Sequence, residues 1–162
     1  LAQKNETLSE HNIKQIHSLI LDNIDDTNKG SYRKINVLIS GAEHKPPLSF
    51  EVPSKMQEFI KKYEEKKQIV HPVELASFVH IEFVGIHPFV DGNGRTSRLL
   101  MNLELIKAGF PPIVIRVEDR LEYYKALDEA HTTGDYGLFL ELIEKVVERS
   151  FEPYFYVLGI EL

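Results

Sequence analysis

Apolar residues recur every three or four positions along most of this 162-residue chain, which is the spacing of one face of an α-helix. The spacing predicts helices over roughly 8–21, 53–67, 72–86, 95–108, 119–130 and 136–150, with a further short helix after Pro153. Thr7, followed three positions later by Glu10, predicts a capping box at the start of the first helix. The 95–108 segment is apolar nearly all round, which predicts the helix at the centre of a bundle.

One segment has a different pattern. Ile35, Val37 and Ile39 alternate with polar residues, and Gly41 ends the run, which is typical of a β-strand. Pro46 and the proline after it would block a long return strand. A lone hairpin is marginally stable, so it must rest on the helices. The predicted fold class is therefore all-α, a helical bundle with a short β-hairpin flap.

Composition excludes several classes of protein. Apolar residues make up 43% and charged residues 27% of the chain, as in one ordinary globular domain. No apolar run is long enough for a membrane span. The chain has no cysteine, which excludes disulfides and thiolate zinc sites and fits a cytoplasmic location. A net charge of −6 argues against nucleic-acid binding. Because the first residue is leucine, a single domain over residues 1–162 cut from a longer chain is expected.

Polar chemistry is concentrated in twelve residues, from His87 to Arg98, between two apolar helices. Gly92 and Gly94 allow backbone turns that point successive N–H groups inward, and a helix N-terminus adds partial positive charge there. Arg95 and Arg98 then lie on one face of the first turn, where a cation opposes the helix dipole at a cost of about 0.3–1 kcal/mol each. A bound di- or triphosphate would offset that cost.

Two further residues of this stretch carry chemistry. Asp91 offers a hard oxygen ligand of the kind Mg²⁺ needs when it is bound to phosphates. His87 titrates near neutrality and can take a proton from an attacking hydroxyl. Taken singly, each residue is explained as well by a tight turn or a helix cap; the grouping favours a phosphoryl or nucleotidyl transferase. The other histidines have no metal-ligand spacing and are expected on the surface or on helix faces: His11, His17, His44, His71, His80 and His131.

The stretch from His87 to Arg98 resembles the motif of the Fic domain family, HxFx(D/E)GNGRxxR, at every specified position. Tyr32-Arg33 and Pro46-Pro47 resemble the family's flap, and residues 98–113 resemble the animal Fic adenylyltransferases and their bacterial relatives. The resemblance implies a Fic-type helical core and transfer of AMP from ATP to a Ser, Thr or Tyr hydroxyl of a target protein, with self-modification expected. Gly94 in place of lysine argues against the phosphorylating branch of the family.

The resemblance also implies a role for each residue of the site. His87 is the general base, Phe89 anchors the loop, and Asp91 binds Mg²⁺ held by the ATP phosphates. Position 131 departs from the family pattern. Relatives often have Asn there, near the adenine, whereas this chain has His131. For Tyr124 a place in the bundle core is as plausible as a place at the base, and the flap is equally explained as a simple hairpin. The residues implied to bind ATP are Gly92, Asn93, Gly94, Arg95, Arg98 and Tyr124, and those of the target-docking flap are Val37, Leu38, Ile39 and Ser40.

Regulation is the point on which the chain differs from many relatives, which are inhibited by a helix with the pattern (S/T)xxxE(G/N). No Glu is followed by Gly or Asn anywhere in the chain. An inhibitory helix would therefore come from a segment before Leu1 or from a partner, and Arg98 is the expected point of control. A homodimer is possible. Two alternatives stay open: removal of AMP from proteins, and a nucleotide- or peptide-binding module with little catalysis.

Overall fold

The computed structural model describes residues 7–160. Within that range it contains seven α-helices and one short 3₁₀ turn, Ser49–Glu51, and it has no β-strand. The all-α class predicted from the sequence is confirmed. The helices are α1 (Glu10–Ile20), α2 (Val52–Lys66), α3 (Pro72–Ile86), α4 (Asn93–Lys107), α5 (Arg120–Thr133), α6 (Gly137–Ser150) and α7 (Glu152–Leu158).

The centre of the bundle is α3, where the sequence pattern predicted the 95–108 helix. Twelve of the fifteen residues of α3 are buried, and it packs against α2, α4, α5 and α6. One apolar cluster joins α3 and α4 to α5 and α6, and another joins them to α1 and α2. In α4, by contrast, Leu99 and Ile106 are exposed. Periodicity identified both helices as apolar, but only the packing shows which of them is enclosed.

The helix ends explain where the site begins. Ser9, two residues later than the predicted cap, accepts a hydrogen bond from Asn12 N at 3.2 Å and starts α1. Pro72 opens α3, as the sequence predicted. The same helix stops at Ile86 because His87 adopts the left-handed conformation with φ 50° and Pro88 cannot continue it. The stretch from His87 to Arg98 therefore starts at a fixed helix end.

The predicted β-hairpin is wrong for this chain, because residues 35–47 form an irregular loop without strand pairing. We call these residues the flap loop. Pro46 and Pro47 lack the N–H groups that a ladder needs. The buried Arg33 holds both ends of the loop instead, with Nη1 donating to Ile35 O at 3.0 Å and Nη2 to Pro47 O at 2.6 Å. Side chains therefore satisfy backbone groups that a second strand would otherwise pair.

Within residues 7–160, none of the helices combines the length and the apolar character that crossing a membrane requires.

Candidate active site

His87 is held in one tautomer by the end of α3. Its Nδ1 lies 3.2 Å from Val84 O; because a carbonyl only accepts, Nδ1 carries the proton and the Nε2 lone pair is free. Burial lowers the pKa of His87 below its usual 6.5, and the positive charge of Arg33 and the nearby His44 act in the same direction. At neutral pH the side chain is thus an uncharged base, as general-base catalysis needs.

Arg33 ties the flap loop to the loop between α3 and α4. Its backbone N donates to Pro88 O at 2.9 Å and its Nε to His87 O at 2.8 Å, in addition to its bonds to Ile35 and Pro47. The guanidinium therefore finds its partners in carbonyl groups at three places along the chain. Sequence reasoning noticed Arg33 only as part of the flap pattern, and no local signal predicted that it would be buried.

The N-terminus of α4 begins with one left-handed glycine. Gly92 has φ 78°, and a Cβ added there would lie 3.1 Å from His17 Nε2, so glycine is favoured by both conformation and space. Gly94 is helical instead, so the predicted pair of left-handed glycines reduces to one. Because the first helical bond joins Thr96 N to Gly92 O, the N–H groups of residues 93–95 lack partners within the helix. They are the groups for which the sequence predicted anion binding.

The Asn93 side chain has a structural contact rather than a free polar end. Its Oδ1 accepts from Phe89 N and its Nδ2 donates to Phe89 O, both at 2.9 Å, and the residue is buried. These two bonds close the loop between α3 and α4. Only the backbone N–H of Asn93 is left to contact a phosphate.

His17 supports the same loop from α1. Its ring stacks on Phe89 with centroids 3.5 Å apart. Its Nε2 donates to Asp91 O at 2.9 Å and its Nδ1 accepts from Gly30 N at 2.9 Å. Burial lowers the pKa of His17, which keeps the ring neutral so that one nitrogen can accept. The expectation of a surface or helix-face histidine is met in its second form, because His17 lies with Ile13 and Ile16 on the buried face of α1.

His80, also expected on the surface or a helix face, lies on α3 and is fully buried. Its Nε2 lies 3.2 Å from Ser97 Oγ and 3.1 Å from Tyr123 OH. Burial, followed by the charge of Arg98, lowers the pKa of His80 to about 3. His80 thus joins α3, α4 and α5 behind the site as a neutral group.

Asp91 and Arg95 contact each other on the outer side of the loop. Arg95 Nη2 lies 2.8 Å from Asp91 Oδ2, and Gly92 N donates to Asp91 Oδ1 at 2.6 Å. Both side chains are exposed, 64% for Asp91 and 41% for Arg95. Residues 7–160 contain no group of three or more His, Cys, Asp or Glu able to hold a metal. One exposed carboxylate fits an ion whose other ligands are phosphate oxygens and water, as is usual for Mg²⁺.

A cavity of about 570 Å³ joins the motif to the flap loop and α5. His87, Gly94 and Arg98 form one wall, and Ile39 and Ser40 form another. Tyr123, Tyr124 and His131 of α5 complete it. Among the predicted site residues Val37, Leu38, Asp91, Gly92, Asn93 and Arg95 do not line this cavity, and Leu38 is 82% exposed. The structure therefore brings together the predicted base His87, the second arginine Arg98 and part of the flap loop.

At position 131 the histidine is committed to contacts within the fold. His131 Nε2 donates to Ile81 O at 2.9 Å, and its ring lies 4.4 Å from that of His44 in the flap loop. A Cβ on Gly85 would lie 2.7 Å from His131 Nε2, so only glycine lets the imidazole approach α3. Burial lowers the pKa of His131. Because His131 Nε2 is bonded to Ile81 O, this nitrogen is unavailable to a nucleotide base.

The sequence of this chain is similar to that of a known protein family. The family model described as Fic/DOC family matches residues 7–105, which is more than half of the chain. The chain belongs to the Fic/DOC family. Curated relatives include the protein adenylyltransferase Fic of Nematostella vectensis, 39% identical over 95% of this chain and 36% of that protein, and that of Aedes aegypti, 37% identical over 95% and 30%. The chain thus spans about a third of the length of these relatives.

Solved structures agree on the Fic fold. Fic-1 (residues 134–508) from C. elegans has a TM-score of 0.84 and 32% identity, covering 94% of this chain and 44% of that one. A Fic domain containing signaling protein from Bacteroides thetaiotaomicron has a TM-score of 0.80 and 34% identity, covering 92% of this chain and 63% of that one. The α-helical arrangement around the motif is therefore that of the family.

Proposed function

We propose that this Fic-family chain transfers AMP from ATP to a Ser, Thr or Tyr hydroxyl of a protein. The observation that carries the proposal is the environment of His87. Its Nε2 lone pair is free, its Nδ1 is fixed by Val84 O, and it lines one cavity together with Gly94 and Arg98. Relatives over most of this chain bear the name protein adenylyltransferase Fic, which supports adenylyl rather than phosphoryl transfer.

In this proposal the backbone N–H groups and the arginines stabilise the phosphate charge, and one proton moves from the acceptor hydroxyl to His87. The acceptor hydroxyl gives its proton to His87 Nε2 as its oxygen attacks the α-phosphorus. The N–H groups at the start of α4 and the helix dipole bind phosphate oxygens. Arg95 contacts the phosphates near the loop, and Arg98 reaches the γ-phosphate from inside the cavity. Such groups need no reorganisation when the bond breaks, which is where this kind of catalysis gains most.

Asp91 is the proposed protein ligand for Mg²⁺. The ion, when bound, neutralises phosphate charge and holds the triphosphate in one conformation. Since Arg95 and Gly92 N already contact the two oxygens of Asp91, Arg95 must move from the carboxylate to the phosphates when nucleotide binds. We therefore expect the two side chains to change partners together.

The other predicted partners belong to this proposal as well. Tyr124 lines the cavity and is assigned to the nucleotide base, with His131 Nδ1 as the only ring nitrogen of that residue free to contact it. The exposed Leu38 and its neighbours are assigned to a target segment, although the flap loop offers no regular strand for it to extend. An inhibitory helix contacting Arg98, a homodimer and a cytoplasmic location remain parts of the proposal.

The test uses α-labelled ATP, Mg²⁺ and a cell lysate. We expect label on proteins with this chain and none with His87→Ala, while His11→Ala, which changes an exposed histidine of α1, labels normally. Nucleotide binding without any label would contradict transfer and favour the binding module. Removal of AMP from proteins that already carry it, without new labelling, would favour the reverse reaction.

A further inference from the structure

Ser40 lies in the flap loop and is one of the residues that line the proposed catalytic cavity. It is exposed and forms part of the cavity wall together with His87 and Arg98. Its neighbour Gly41 has φ 80°, and a Cβ added there would meet no atom within 4 Å. The chain at Ser40 thus turns through open space at the edge of the cavity.

The other hydroxyls of the cavity wall already make hydrogen bonds within the fold. Tyr123 is buried, and its OH lies 3.1 Å from His80 Nε2. Tyr124 OH accepts from the guanidinium of Arg120 at 3.4 Å. Ser40 is the hydroxyl of this wall that makes no hydrogen bond within residues 7–160.

The hydroxyls of the motif itself are equally unsuited to be acceptors. Thr96 Oγ1 donates to Gly92 O at 2.9 Å, and Ser97 Oγ donates to Gly94 O at 3.1 Å. Both residues are buried inside α4. Modifying either would break a helical contact and require space that the core does not have.

Two clamps hold the flap loop against the cavity. Arg33 binds Ile35 O and Pro47 O at its two ends. On the far side of Ser40, the Asp128 carboxylate of α5 accepts from Glu43 N at 3.0 Å and from His44 N at 3.1 Å. Ser40 therefore sits on a short arc that is fixed on both sides. A hydroxyl held in this way reacts without the entropy cost of bringing in a second molecule.

We propose that Ser40 is the site at which the chain adenylylates itself, within one molecule; the inference rests on the proposed adenylyl transfer. In this step the bond from Ser40 Oγ to the α-phosphorus of ATP forms, and the bond from that phosphorus to the bridging oxygen breaks. Pyrophosphate leaves, and the hydroxyl proton passes to His87 Nε2. The AMP then occupies the cavity from the flap side and blocks a second nucleotide, so self-modification limits further transfer.

The experiment incubates the purified chain with Mg²⁺ and α-labelled ATP and locates the AMP by peptide mass spectrometry. We expect it on Ser40, with a first-order rate constant that does not change when the protein is diluted. Ser40→Ala lowers self-labelling by about tenfold or more, whereas Ser40→Thr restores label at position 40. Ser31→Ala, the matched control at an exposed serine outside the cavity, labels like the unchanged chain.

Mixing separates the two routes of labelling. His87→Ala keeps Ser40 but lacks the base, so adding the unchanged chain, carrying an affinity tag that allows the two proteins to be separated, must leave His87→Ala unlabelled. AMP on Ser40 of His87→Ala in that mixture would overturn the intramolecular step. AMP found on other residues while Ser40 stays unmodified would overturn the assignment of Ser40 as the modified residue. Both results are compatible with the proposed function, because lysate proteins would still be labelled. If the lysate proteins also carry no AMP, the proposed function is contradicted, and the inference about Ser40 is contradicted with it.

Discussion

Two residues of the loop between α3 and α4, His87 and Asn93, combine a structural contact with a proposed chemical role. His87 caps α3 with its backbone and lines the cavity with its ring. Asn93 closes the loop through two bonds to Phe89 and leaves its N–H at the helix start. The sequence predicted this cluster as a site because its charges did not fit an ordinary turn. It could not predict the buried His17 behind it, because a lone histidine on a helix gives no sign of a partner 74 positions away.

Gly92 allows a test of how much the loop depends on close packing. Gly92→Ala places a Cβ 3.1 Å from His17 Nε2 at φ 78°, whereas Gly109→Ala has a similar φ of 89° but meets no atom within 4 Å. The left-handed conformation costs about 1–2 kcal/mol in both. We expect the free energy of unfolding, measured with urea, to fall further in Gly92→Ala. Equal losses in the two variants would show that His17 does not restrict this position.

At the scale of elements, the helices followed from the sequence and the flap did not. Apolar spacing and the positions of Pro72 and Pro88 located α3 to the residue, because helix bonds are local. Alternation at Ile35, Val37 and Ile39 predicted a strand, but a strand also needs a backbone partner. The flap loop is instead held by Arg33 and Asp128, and its own Asn36 accepts a hydrogen bond from Ser49 N. These contacts join distant residues, so no local pattern reports them.

Arg33 is therefore the side chain on which the flap loop depends most. Replacing it by methionine leaves the carbonyl groups of Ile35, Pro47 and His87 without their donors, and we expect the free energy of unfolding to fall by about 2–4 kcal/mol. Arg116→Met, at an exposed arginine, should change it by less than about 0.5 kcal/mol. Urea unfolding followed by circular dichroism measures both. If Arg33→Met is as stable as Arg116→Met, the flap loop is held by other contacts.

At the scale of the whole molecule, four histidines are buried or half-buried between helices. Burial lowers the pKa values of His17, His80, His87 and His131 below 6.5. The unfolded chain therefore binds more protons than the folded one when the pH falls below that value. Their contribution to stability is complete above pH 6.5 and is lost as the pH decreases.

Stability should consequently fall with acid well before the carboxylates titrate. His80, whose burial lowers its pKa to about 3, contributes a slope on the order of 1 kcal/mol per pH unit between pH 6 and 5. We expect the urea midpoint to drop over that interval, and His11→Gln, at an exposed histidine, to keep the same dependence. A midpoint that stays constant from pH 7 to 5 would show that these rings are not held neutral.

The central claim is that neutral His87 takes the proton when AMP is transferred. The measurement is the single-turnover rate of AMP transfer from α-labelled ATP between pH 5 and 8, for the unchanged chain and for His87→Ala. We predict an acid limb with its midpoint below 6.5, since burial lowers the pKa of His87, and a rate about 10²–10⁴-fold lower without that limb in the variant. A variant that transfers AMP as fast as the unchanged chain, or a midpoint above 6.5, would contradict the account.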